Sequence, residues 1–149
     1  MMIPFLILAA CAMGVAATVQ GATNGVLSSR IGIGLAILMN SAIATVGCVA
    51  FWFLVPKPAN PSSFSSIPGY LWLGGFYGLV ITAVAAFAFP RLGAGPTTAI
   101  MVCSQLLMAL VLDQFGILAE QIPVTPPRMI GVVLLIAGTL LVLWPKLRV

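Results

Sequence analysis

The residues best suited to chemistry are carboxamides that interrupt long apolar runs. Gln20 and Asn24 are four positions apart, which places them on one face of a helix. Asn40 and Gln105 each lie near the middle of a further apolar run. A carboxamide offers N–H donors and a carbonyl acceptor without a fixed charge. Such groups can therefore line a cavity for a polar solute.

Each of these amides has a second interpretation as a contact between helices. A polar side chain in lipid is explained either by a functional site or by an interhelical hydrogen bond. Serine and threonine are weaker evidence, because their hydroxyls can bond to carbonyls of their own helix. Ser104 is retained because it adjoins Gln105 at mid-span. The substrate-binding candidates are thus Gln20, Asn24, Asn40, Ser104 and Gln105.

Asp113 is the acidic residue within the apolar runs. It follows Gln105 by eight residues, about 12 Å along a helix axis, so we expect it near the membrane boundary. Two interpretations are open. In the first, Asp113 faces water or pairs with a base at that boundary. In the second, it carries a proton or attracts a cation at the mouth of a cavity. In the second case Asp113 is a candidate coupling group.

Other chemistry is poorly supplied by this sequence. It has no histidine, and its only carboxylates are Asp113 and Glu120. No serine or cysteine has an evident base. The three cysteines lie in different apolar runs without a CxxC spacing, and we expect them to be helix residues, with Cys11 not a lipoprotein cleavage site. We therefore predict no enzyme activity, no metal site and no cofactor.

The composition defines the class of protein. Of 149 residues, 62% are hydrophobic and 5% are charged, and the mean hydropathy is +1.22. A soluble domain has about 25% charged residues, so the chain is predicted to be an all-α polytopic membrane protein. The net charge of +4 is spread over the connections, which argues against nucleic-acid binding.

Five apolar runs are long enough to span a bilayer. They are predicted at residues 3–28, 31–55, 69–89, 96–115 and 128–144, within one transmembrane domain of residues 1–149. Predicted breaks lie at the polar turn 28–30, the proline-rich stretch 56–63, and residues 90–96 and 116–127. Pro68 suits a helix start, Thr125 is a possible cap of the fifth helix, and residues 144–146 are expected to end it.

Glycines supply candidate packing surfaces between the helices. Gly21 and Gly25 form a G-x-x-x-G pair, and Gly74 and Gly78 form another, a spacing that lets helices approach closely. Thr139 is expected to satisfy its hydroxyl on its own helix, so the fifth span is interpreted as a packing helix. The predicted packing positions are Gly21, Gly25, Gly74, Gly75, Gly78, Gly131 and Gly138.

The basic residues indicate only a weak preference for one orientation. Five spans place the termini on opposite sides of the membrane. The N-terminal side carries Lys57 and Arg128, and the other side carries Arg30, Arg91, Lys146 and Arg148. The positive-inside rule favours an external N-terminus. So small a bias is also expected for a chain that inserts in both orientations.

Several short segments, taken in order, resemble one family. They are Gln20-Gly21-Ala22-Thr23-Asn24-Gly25, Leu73-Gly74-Gly75-Phe76-Tyr77-Gly78, Pro90-Arg91-Leu92-Gly93-Ala94, Ser104-Gln105-Leu106-Leu107, Leu112-Asp113-Gln114-Phe115-Gly116 and Arg128-Met129-Ile130-Gly131. Their order and spacing are similar to the YdcZ-like family of the drug/metabolite transporter superfamily. These are short bacterial proteins with five helices, and the resemblance covers nearly the whole chain.

The resemblance implies a fold, a location and a way of working. Larger members of the superfamily have ten helices in two inverted halves, so this chain would be equivalent to one half. It would sit in the bacterial inner membrane and pair with an antiparallel copy or with a sister chain. The pair would transport a small molecule by alternating access through a site at the midplane.

One departure from the superfamily limits what carries over. Small multidrug exporters with four helices use a membrane-buried glutamate, whereas the first span here has only Gln20 and Asn24 as larger polar groups. Either Asp113 handles protons, or transport is uncoupled, or it uses another ion. Amides without charge favour a neutral or zwitterionic metabolite or a weakly hydrated organic ion.

Two functions are therefore carried forward. The first is a secondary transporter that exports a small metabolite or drug-like compound. The second is a non-transporting membrane subunit that stabilises or regulates a partner membrane protein. A channel is less favoured, because neither a ring of charges nor a carbonyl filter sequence is visible.

Overall fold

The computed structural model describes residues 2–56, 67–117 and 121–147. Its helices are α1 (Met2–Ile31), α2 (Ile33–Leu54), α3 (Gly74–Leu92), α4 (Ala94–Phe115) and α5 (Pro126–Leu147), and a 3₁₀ helix at Gly69–Leu73 leads into α3. No strand occurs within these ranges. Five helical segments are long and apolar enough to cross a membrane. The predicted all-α, five-span class is confirmed.

The helices fall into two compact units. The first is Met1–Arg91, which contains α1, α2 and nearly all of α3, and the second is Leu92–Val149, which contains α4 and α5. The assignment of residues 1–149 to a single transmembrane domain stays a prediction.

The turn between α1 and α2 lies later than the sequence suggested. Helix α1 continues through residues 28–30, so the predicted polar turn there is wrong. The hydroxyls of Ser28 and Ser29 donate to the carbonyls of Gly25 and Val26 on their own helix, at 2.8 and 2.7 Å. These serines therefore sit in the helix without exposing unpaired hydroxyls. The chain turns instead at Gly32, whose φ of +84° suits glycine.

The break between α3 and α4 is also shorter than predicted. Pro90 lies inside α3, and Pro96 lies in the first turn of α4, where a proline removes no helical hydrogen bond. Gly93, with φ of +89°, makes the turn alone. The predicted break over residues 90–96 is corrected to this single residue.

Pro90 creates a constraint that Ser28 resolves. Proline has no N–H, so the carbonyl of Ala86, four residues earlier, loses its helical donor. Ala86 is 1% exposed, which keeps water from replacing that donor. The Ser28 hydroxyl on α1 lies 2.9 Å from this oxygen and shares its single proton between this carbonyl and that of Gly25. A side chain of α1 thus supplies the hydrogen bond that the backbone of α3 lacks.

Glycines of α1 let α3 approach at the same place. A Cβ at Gly21 would lie 2.5 Å from the ring of Phe89, and one at Gly25 would lie 3.0 Å from Cδ of Pro90. Phe89 is buried. A side chain at Gly21 would force Phe89 to move, and one at Gly25 would press tightly on Pro90.

In the second unit, α4 and α5 form a hairpin. Helix α4 ends at Gly116, which has φ of +59° and whose N–H bonds back to the last turn, as in common glycine C-caps. Helix α5 begins at Pro126, and the Thr125 carbonyl accepts from the N–H of Met129 at 3.1 Å. A side-chain cap by Thr125 stays a prediction.

Two expectations for α5 are corrected. The helix runs to Leu147 with Pro145 inside it, so residues 144–146 do not end it. Thr139, which is 9% exposed, does not bond within its own helix. Its hydroxyl reaches the Ala99 carbonyl of α4 at 3.5 Å, because it is buried against that helix.

We predict that Ser28→Ala lowers the free energy of unfolding by about 1–3 kcal/mol, because it leaves the buried Ala86 carbonyl without a donor. Pro90→Ala restores the backbone N–H and should recover most of this loss in the double variant. Ser29→Ala is the matched control, since that hydroxyl bonds only to its own helix. Denaturant unfolding in detergent is measured for the wild type, the three single variants and the double variant. If Ser28→Ala lowers the free energy of unfolding equally in the wild type and in Pro90→Ala, Ser28 is not the donor that replaces the missing N–H of Pro90.

Candidate functional site

The first unit contains an open groove of about 750 Å³. All three of its helices contribute lining residues, which are Gln20, Asn40, Ser41, Ala44, Thr45, Cys48, Val49, Trp52, Phe53, Gly75, Gly78, Leu79 and Thr82. Asn40 and Trp52 are twelve residues apart on α2, about 18 Å along its axis. The groove therefore extends from the middle of α2 to its C-terminal end.

Two predicted site residues meet at the polar end of this groove. The Gln20 Nε2 atom of α1 donates to the Oδ1 atom of Asn40 on α2 at 3.4 Å. The contact is long for a hydrogen bond, so a solute could replace it at modest cost. It uses one N–H of Gln20 and one oxygen of Asn40, which leaves the Gln20 carbonyl as an acceptor and the Asn40 amino group as a donor.

The remainder of the lining carries no charge. The hydroxyls of Thr45 and Thr82 donate to the carbonyls of Ser41 and Gly78 on their own helices, at 2.8 and 3.0 Å. Trp52 and Phe53 add aromatic surface at the far end. An amide pair at one end and apolar side chains at the other suit an amphipathic solute without strong net charge.

The structure separates Asn24 from this lining. Asn24 lies one helical turn beyond Gln20 on α1 and is only 7% exposed. It is absent from the residues that border the groove in the described part of the chain. Its role in binding stays a prediction, and its burial is compatible with the alternative of a contact between helices.

Ser104 and Gln105 lie on α4 in the second unit. Both are exposed. The Ser104 hydroxyl donates to the Met101 carbonyl at 2.9 Å on its own helix, which is the local pairing expected for serine. The assignment of Ser104 and Gln105 to a substrate site stays a prediction.

Asp113 is paired with a base. Its Oδ2 atom lies 3.4 Å from Nη1 of Arg128 at the start of α5, and both side chains are about 40% exposed (38% and 40%). Pairing with a base belongs to the first of the two interpretations that the sequence leaves open for Asp113. A pair this exposed stabilises a fold by at most about 1 kcal/mol. The role of Asp113 in coupling stays a prediction.

Gln114 fixes the chain that leads into α5, and sequence reasoning missed it. Its Oε1 atom accepts from the N–H of Val124 at 2.9 Å, and its backbone carbonyl accepts from Nε2 of Gln121 at 2.8 Å. The N–H of Ile122 also donates to the Asp113 carbonyl at 2.9 Å. The sequence offered no signal for this, because a glutamine at a helix end has no pattern that indicates its backbone partners.

The predicted packing glycines differ in their surroundings. Gly21 and Gly25 adjoin α3, as described above, whereas Gly75 and Gly78 border the groove. A Cβ added at Gly74, Gly75, Gly78, Gly131 or Gly138 would meet no described atom within 4 Å. The described part of the chain therefore leaves these five surfaces open to another helix or to lipid.

Cys48 also lines the groove, while Cys11 is exposed on α1 and Cys103 is half-buried on α4. Sequence reasoning found no functional signal in Cys48, Trp52 or Phe53, because apolar residues are expected throughout a span. Among the described residues, no three metal-ligating side chains cluster.

Five helices that are long and apolar enough to cross a membrane define a multi-pass membrane protein. The chain belongs to the YdcZ family. The model of this family, described as "Putative inner membrane exporter, YdcZ", matches residues 5–141. The comparisons with curated proteins and with solved structures found no match. The family and the five helices identify a multi-pass protein of the inner membrane.

We predict that Gln114→Ala speeds hydrogen exchange at the Val124 amide by about fivefold, because the amide loses its acceptor and such a bond contributes roughly 1 kcal/mol. Asp113→Asn is the matched control. It weakens the pair with Arg128 but keeps both the Gln114 contacts and the backbone carbonyl that accepts from Ile122. Exchange measured by NMR in detergent should be nearly unchanged in that control. Faster exchange in Asp113→Asn than in Gln114→Ala would contradict the role of Gln114.

Proposed function

We propose that this protein is a secondary transporter that exports a small metabolite or drug-like compound by alternating access. The family description supports export across the inner membrane. The observation that carries the proposal is the groove in which Gln20 and Asn40 meet. Amides at mid-span have a cost in lipid that a binding function explains.

The polar end of the groove is the proposed contact with substrate. A substrate that offers one donor and one acceptor replaces the 3.4 Å contact between Gln20 and Asn40 with two better bonds. Its apolar part lies toward Trp52 and Phe53. Since no lining side chain is charged, a neutral or zwitterionic compound or a weakly hydrated organic ion is favoured over a small hydrated ion. The sequence-based assignments of Asn24, Ser104 and Gln105 to substrate binding are kept in the proposal without a place in the groove.

The working assembly is proposed to be an antiparallel pair, formed with a second copy or with a sister chain. The weak bias of basic residues between the two sides supports insertion in both orientations. The open glycine surfaces at Gly131 and Gly138 leave room for a helix of another chain. Pairing two inverted copies would bring two grooves into one transport path.

Asp113 is the proposed coupling group. Residues 1–91 contain no aspartate or glutamate, so the groove itself has no acid that could exchange a proton. The Asp113 pair with Arg128 is exposed, and its opening costs little free energy. In this proposal Asp113 releases Arg128 and binds a proton or a cation during the cycle.

The test uses the double variant Gln20→Leu/Asn40→Leu, which keeps side-chain volume while removing the amides. Untargeted mass spectrometry of the culture medium compares cells that make the wild type, the variant or no protein. We expect a compound that accumulates outside cells making the wild type, and at least a tenfold smaller excess for the variant, since two hydrogen bonds are lost.

Thr23→Val is the matched control for this experiment. Thr23 is an exposed residue of α1, and its hydroxyl bonds only to carbonyls of its own helix. Export should persist in this variant. Undiminished export by the double variant would contradict the assignment of the groove. A wild type that changes no compound in the medium, but purifies in fixed ratio with another membrane protein, would favour the regulatory subunit instead.

A further inference from the structure

A second recess in the first unit lies at the opposite end of its helices from the tryptophan-lined end of the groove. It has a volume of about 580 Å³ and is bordered by Ser28, Ser29, Ile33 and the last turns of α3 up to Arg91. The end of α1, the start of α2 and the end of α3 lie on one side of the membrane, because successive spans alternate in direction. The recess is therefore at the depth of the lipid headgroups.

Arg91 is held in a defined position beside this recess. Its Nη1 atom donates to the Phe87 carbonyl at 2.8 Å, and the guanidinium carbon lies 3.7 Å from the centre of the Phe87 ring. The stacking and the hydrogen bond fix the planar group. The other guanidinium nitrogens remain as donors in a geometry that suits a phosphate.

The first unit has no acid to neutralise this cation. Residues 1–91 contain Arg30, Lys57 and Arg91 but no aspartate or glutamate. Asp113, the acid within the described residues, belongs to the second unit and is paired with Arg128. A cation at the edge of the hydrocarbon region needs a counter-charge, since its charge is costly there. The phosphates of the surrounding lipid are the anions present at that depth.

We propose that the recess bordered by Ser28, Ser29, Phe87, Pro90 and Arg91 binds the phosphate group of an anionic membrane phospholipid. Arg91 donates to the phosphate oxygens, and the exposed face of Phe87 contacts the glycerol and upper acyl chain. Basic recesses between membrane helices are known to hold such headgroups. This site is separate from the groove and does not depend on the proposed transport function.

The test measures the thermal unfolding midpoint of the purified protein in an uncharged detergent. Short-chain phosphatidylglycerol, the matching diacylglycerol without phosphate, and inorganic phosphate are titrated in parallel. We expect phosphatidylglycerol to raise the midpoint, and the other two to raise it much less. An equal rise with diacylglycerol would overturn the role of the phosphate. An equal rise with inorganic phosphate would overturn the assignment to lipid and indicate a site for free phosphoryl compounds.

Arg91→Gln locates the effect. We expect this variant to bind phosphatidylglycerol at least tenfold more weakly, as judged by the concentration that gives half of the shift. Arg30→Gln is the matched control, because Arg30 is a cation on the same side of the membrane that does not border the recess. Equal weakening by both substitutions would overturn the site in favour of general attraction to charge.

The proposal stays testable if Arg91→Gln does not fold. In that case the wild type is examined by native mass spectrometry with equimolar phosphatidylglycerol and diacylglycerol. We expect each chain to retain one isotope-labelled phosphatidylglycerol. An excess of the unlabelled lipid should displace it. No preference for phosphatidylglycerol would overturn the proposal.

Discussion

The missing N–H of Pro90 is the constraint around which the first unit is arranged. It leaves a buried carbonyl at Ala86 that a lone helix cannot satisfy. Ser28 supplies the donor from α1, and glycines at positions 21 and 25 allow the approach that this bond requires. Helix α3 is thereby fixed against α1, and the groove that the two helices share with α2 has defined walls.

The helices were predictable because length and hydropathy alone determine which segments can span a bilayer. The turns were less predictable. Polar residues at 28–30 suggested a break, but their hydroxyls bond within the helix, and single glycines with positive φ at 32 and 93 make the turns. Prolines 90 and 145 lie inside helices rather than at their ends, and at Pro90 a side chain from another helix replaces the lost donor.

The site was predictable in its chemistry but not in its geometry. Gln20 and Asn40 stood out as amides in apolar spans, yet their meeting depends on how α1 and α2 pack. Cys48 and Trp52 carry no pattern that separates a groove wall from a lipid-facing surface. Asn24 shares a helix face with Gln20 but is buried and does not border the groove. Conversely, Gln114 acts through backbone partners that no sequence pattern indicates.

Insertion in both orientations is the central requirement of the proposed antiparallel pair, and reporters fused after Val149 test it directly. One reporter is active only inside the cell, and the other only outside. We expect both fusions to be active at comparable levels, because basic residues give only a weak bias between the two sides. Activity of the internal reporter alone would contradict a pair made of two copies of this chain.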